Sequence, residues 1–113
     1  MEVNYKLNNV RELAGGDESF IADIAAAFVE EVPEAIALIK EGLAKKNYEQ
    51  VYQNAHKIKP TIQMFELPIY NEIIVIQDWG KFEQAGKDVS KTFNKVSILI
   101  QAVTKELKSD FNL

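Results

Sequence analysis

The segment "YQNAHKIKPTIQMFELP", residues 52–68, holds the only histidine of a 113-residue chain, with lysines one and three positions after it and a proline four after. A neutral imidazole can act as a nucleophile near pH 7. Phosphoryl transfer asks little more of a protein than an in-line nucleophile and positive charge beside the equatorial oxygens. Lys59, one turn past His56, has the reach for that charge. Lys57 adds charge from the flank, and Gln63 is placed to orient the ring or the group it carries. No cluster of metal-ligating residues accompanies them: Glu49 and Gln53 share the face of His56, but one strong ligand does not make a zinc site. The expectation is a chain without a cofactor of its own, whose partner brings the carboxylate and Mg²⁺.

Position 60 bears on the same chemistry. Helical side chains lean toward the N-terminus, so the residue four positions after a histidine overhangs its ring. A long side chain there would cover the imidazole; the compact Pro60 leaves it open. Proline also removes the N–H that would bond the His56 carbonyl, at a cost of about 3 kcal/mol if nothing compensates.

These residues need a helix to carry them, and the hydrophobic spacing supplies one. Tyr48, Val51, Ala55, Ile58, Ile62 and Phe65 recur at intervals of three and four, one seam of an amphipathic helix. His56 points well away from that seam, toward water or a partner. Gln53, Pro60 and Met64 fall on the same outward stripe, with Leu67 nearby, and form the expected partner-binding surface. Upstream, "GGDESFIADIAAAFVEEV" begins with a Gly-Gly break and a capping Asp17, then places Phe20, Ile21, Ile24 and Phe28 on one face. Pro33 either kinks this helix or opens a second, and Ile36, Ile39 and Leu43 continue the stripe. A short helix on Leu7, Val10 and Leu13 precedes the glycines. Downstream, Pro68 opens "PIYNEIIVIQDW", a buried helix despite its β-branched run, and a loop near Gly86 leads to a last helix from about Asp88. In that helix Val89, Phe93, Val96, Ile100, Val103 and Leu107 recur at helical intervals. The pattern predicts an all-α antiparallel four-helix bundle, up-down-up-down, with a short N-terminal capping helix, as one domain over residues 1–113.

Composition narrows the function classes. With 47% hydrophobic and 27% charged residues the chain is an ordinary globular one, and without cysteine it has no disulfide or thiolate site. No leader-like start or membrane-spanning run is present, so a cytoplasmic location with no membrane partner is the expectation. The net charge of −4 argues against nucleic acid. The charge is uneven: residues 1–39 carry two basic and eight acidic side chains, whereas residues 40–59 carry five lysines and two glutamates. The positive segment runs up to the histidine, where it favours an anionic group. No nucleophile triad, phosphate-cradling glycine loop or cofactor motif appears, which argues against an independent enzyme.

The stretch "AHKIKPTIQMF" resembles the motif of histidine-containing phosphotransfer domains, roughly Ala-His-x-Leu-Lys-Gly-Ser. Ala55, His56, Ile58 and Lys59 match it in position, while Pro60 stands at its glycine and Thr61 at its serine. Glu66, ten residues after the histidine, stands where members often have a small residue. The similarity continues upstream, where "ELAGGDESFIADIAAAFVEEVPEAIALIKEGLAKKNYEQVYQNAHKIK" resembles the family's first long hairpin. The resemblance implies a four-helix phosphorelay carrier without catalytic turnover. It implies that His56 takes a phosphoryl group from the aspartate of one response-regulator receiver or hybrid sensor kinase and passes it to another receiver, with Lys59 as supporting cation. The alternative is a bundle of the same kind that binds receivers without carrying phosphate.

Overall fold

Five helices and no strand make up the regular structure of residues 4–113, the part of the chain that the computed structural model describes. Residues 1–3, counted within the domain on sequence grounds, lie outside the described residues. The helices are α1 (Asn8–Ala14), α2 (Glu18–Lys45), α3 (Tyr48–Met64), α4 (Tyr70–Lys81) and α5 (Ser90–Asp110). Asp17 caps α2 as its sequence predicts, its carboxylate accepting from the backbone N–H groups of Ser19 and Phe20 at 3.0 and 3.3 Å. Pro33 neither ends nor divides α2, which runs unbroken for 28 residues. Val32, Ala35 and Ile36 are buried on either side of it, and this packing holds the helix through the missing hydrogen bond.

The turn between α2 and α3 is tight. Lys46 takes a left-handed conformation (φ 53°), and the Asn47 N–H closes α2 by bonding the Gly42 carbonyl at 2.8 Å. The Asn47 side chain then opens α3 by accepting from the Gln50 N–H at 3.1 Å. The other end of α3 closes on a Schellman motif, with Glu66 N–H bonded to the Gln63 carbonyl and Leu67 N–H to that of Ile62. Glu66 occupies the left-handed position there (φ 54°), a place that glycine fills at less cost.

Packing follows the predicted seams closely. Val51, Ala55, Ile58 and Ile62 of α3 and Phe65 at its C-terminal cap are buried, as are all six stripe residues from Val89 to Leu107, and one core gathers buried residues from all five helices. The segment with the β-branched run is helix α4, which buries Ile73, Ile76 and Trp79. Helix α3 packs on α2 and on α4, and α5 packs on both of these in turn. Two apolar residues depart from expectation: Leu13 is 60% and Phe20 44% exposed. The α2 seam runs through Ile21, Ala25, Phe28 and Val32, and Phe20 lies about 100° to its side. Just before α5, Asp88 accepts from the hydroxyl and the N–H of Ser90, and these bonds hold its carboxyl below the usual range. Lys95 of α5 donates to Glu72 of α4 at 2.7 Å, and this bond lowers the Glu72 pKa.

Glycine sets the closest approach. A Cβ on Gly80 would lie 2.5 Å from the Tyr48 carbonyl oxygen and 2.7 Å from the Tyr52 nitrogen, so α4 touches the backbone of α3. Gly80→Ala should therefore destabilise the fold by about 1–3 kcal/mol in a denaturant titration. A melting curve like that of the parent would show that the two helices separate without cost.

Candidate functional site

His56 lies on the exposed face of α3, as its place on the helix dictates. Four neighbouring positions set its surroundings. Tyr52, one turn before, stacks on the imidazole with ring centroids 5.6 Å apart and planes 20° apart. Tyr52 is not among the expected site residues although the i, i+4 interval sets it beside His56, and the ring stack gives it a place there. Lys59, one turn after, is half-buried, whereas Lys57 is exposed beside the histidine. Pro60 is exposed inside a helix that continues to Met64, and its ring takes the position that would otherwise overhang the imidazole.

The imidazole is thus walled on its N-terminal side by a phenol ring and left open on its C-terminal side. The His56 carbonyl lacks its helical donor because Pro60 has no N–H. The backbone turn below stays in place because Ala55, Ile58 and Ile62 are anchored in the core.

Three further residues complete the sequence-predicted set. Gln53 and Gln63 are exposed, on either side of His56 along the helix. Met64 is half-buried against the core, not free on the surface, and Leu67 is buried, at 4% exposure. Both differ from the exposure expected of them, for a reason outside the helical wheel of α3. The N-terminal segment crosses the end of this helix: Lys6 N–H bonds the Phe65 carbonyl at 3.0 Å, and the Asn9 side-chain amide bonds that of Gln63 at 3.4 Å. An outward position on the last turn consequently meets protein, and the Schellman reversal at Glu66 directs Leu67 inward. The exposed stripe is therefore Gln53, His56 and Pro60, with Gln63 at its end.

Chemically, the arrangement offers one accessible nitrogen nucleophile with a cation one turn away. Among the described residues no three carboxylate or imidazole side chains converge as a metal site requires. No described helix is long and apolar enough to cross a membrane. Comparisons with protein-family models, with curated proteins and with solved structures return no match.

The open side of the ring can be tested through position 60. Pro60→Leu restores an N–H for the His56 carbonyl and should stabilise the protein by about 1–3 kcal/mol. The leucine side chain leans back over the imidazole, so modification of His56 by diethyl pyrocarbonate should slow several-fold. Unchanged reactivity in the variant would show that proline is not what keeps the ring accessible.

Proposed function

We propose that this chain is a histidine phosphotransfer module: an antiparallel, up-down-up-down four-helix bundle of α2 to α5, capped by α1, that relays a phosphoryl group through His56. One observation carries the reading. The only imidazole of the chain stands exposed at mid-helix, on a helix held on two sides by packing, with Lys59 on the next turn and Pro60 leaving the ring open. The packing of α3 and α5 each against both α2 and α4 supports the bundle, and the two-residue turn at Lys46 and Asn47 supports its antiparallel first pair.

In the forward step, the unprotonated ring nitrogen of His56 attacks the phosphorus of an aspartyl phosphate on a receiver domain. The N–P bond forms as the P–O bond to the aspartate breaks, and the carboxylate leaves with the electron pair. The other ring nitrogen keeps its proton. The return step is the reverse, toward the aspartate of a second receiver. Lys59 places its ammonium near the equatorial oxygens, where charge-assisted contacts count most. Lys57 raises the local potential, and Gln63 is within reach to orient the group. The receiver supplies the Mg²⁺ and the acidic cluster that holds it, so the chain carries phosphate without turnover of its own. Gln53, His56 and Pro60 form the centre of the docking surface, and Met64 contributes its half-exposed edge.

Two substitutions test this reading. His56→Gln should abolish acid-labile, base-stable labelling by a phosphorylated receiver while leaving helicity intact. Labelling at the parental level would end the proposal, and receiver binding without label in the parent protein would assign an interaction module instead. Lys59→Ala should keep the parental melting temperature within a few degrees and slow transfer about tenfold or more. Parental transfer rates in that variant would leave Lys59 as an ordinary surface cation.

A further inference from the structure

A second site lies away from the histidine, on a face to which α3 contributes no residue. Between α2 and α5 runs a groove of about 520 Å³, lined by Pro33, Ile36, Ala37 and Lys40 from one helix and by Phe93, Ser97, Ile100, Gln101, Thr104, Lys105 and Lys108 from the other. That volume suits a small organic ligand and is too small for a protein domain. The floor is apolar: Ile36, Phe93 and Ile100 are themselves buried, and Pro33 lies beside them.

The rim is not neutral. Every charged residue lining the groove is a lysine, in a chain whose net charge is −4. Among the described residues the direct ion pairs are Lys45 with Glu41 and Lys95 with Glu72, and none of Lys40, Lys105 and Lys108 takes part in one. These lysines also sit at opposite ends. Leu43 and Ala44 of α2 line a separate hollow with Val89 and Ser90, which sets the C-terminal part of α2 beside the start of α5. Lys40 therefore stands toward the start of α5, and Lys105 and Lys108 stand one turn apart near its end. A paired cation at one end of an apolar trough complements an anionic head on an apolar tail. The polar groups in between are Ser97, Gln101 and Thr104, which are bonded locally: the Thr104 hydroxyl donates to the Ile100 carbonyl at 2.7 Å and the Gln101 amide to the Ser97 hydroxyl at 3.3 Å.

We propose that the α2–α5 groove binds a small anionic amphiphile, an alkyl or aryl carboxylate or phosphate ester, with its head between Lys105 and Lys108 and its apolar body along Ile36, Phe93 and Ile100. The binding does not depend on phosphotransfer, because no groove residue belongs to the histidine helix.

Decanoate, titrated below its micelle-forming concentration into ¹⁵N-labelled protein, is the probe. Saturable amide shifts confined to the groove residues of α2 and α5 are expected, with decanol binding more weakly than decanoate. Ala37 is exposed, so Ala37→Trp fills the groove without disturbing the core, and it should abolish the shifts. The double variant Lys105→Ala, Lys108→Ala should weaken decanoate about tenfold or more while decanol is unaffected. Absence of saturable shifts, shifts centred on α3, or persistence of binding in Ala37→Trp would overturn the proposal. Equal binding of decanol and decanoate would overturn it too, by removing the role of charge. A response to an acidic amphipathic peptide but not to decanoate would replace the small ligand with a protein partner.

Discussion

Backbone contact between helices, made possible by two glycines, is the constraint on which the arrangement rests. Gly80 brings α4 against the main chain of α3 at Tyr48 and Tyr52, and Gly42 lets Val51 of α3 press into α2, where an added Cβ would come within 2.7 Å of its side chain. Both contacts fall in the first half of α3. They fix its rotation about its own axis as well as its position, because a carbonyl and an amide cannot slide past a neighbouring backbone as side chains can. The outward direction of position 56 follows, one turn beyond the clamp. Tyr52 sits at the junction, its backbone against Gly80 and its ring against His56, so the packing of the core and the pose of the imidazole share one residue.

Much of this was legible in the sequence, for physical reasons particular to each element. The seams of α3 and α5 are regular over four or more turns, and long regular spacing leaves one orientation that buries every apolar residue. Asp17 announces a helix start because its side chain can satisfy free N–H groups. The exposure of His56 came from the same periodicity. What the sequence did not disclose was set by contacts between distant segments. Nothing in the spacing of α3 reveals that residues 6 and 9 cross its end, so Met64 and Leu67 read as surface. Leu13 and Phe20 read as core for the opposite reason, since a short pattern beside a double-glycine break leaves the seam free to rotate. Pro33 and Pro60 gave the weakest guidance. Proline forbids one hydrogen bond, but whether a helix ends there depends on what is buried on both sides.

The two candidate sites differ in construction. At His56 the chemistry resides in one side chain and the fold contributes exposure, a stacked ring and a nearby cation. In the α2–α5 groove no single residue is reactive, and recognition would come from shape and from a rim whose charged residues are all lysines. The chain's acidity makes both cationic regions local exceptions, distributed on different helices of the same core.

The stack of Tyr52 on His56 gives the exposed imidazole a handedness of access. A macromolecule advancing along α3 from its N-terminal end meets the phenol before the imidazole, whereas one arriving from the C-terminal end passes over a proline that projects little. Any surface that engages the ring must therefore be cut away where Tyr52 stands and can be flat where Pro60 lies. An exposed side chain usually accepts visitors from every quarter; this one imposes a compass bearing on them.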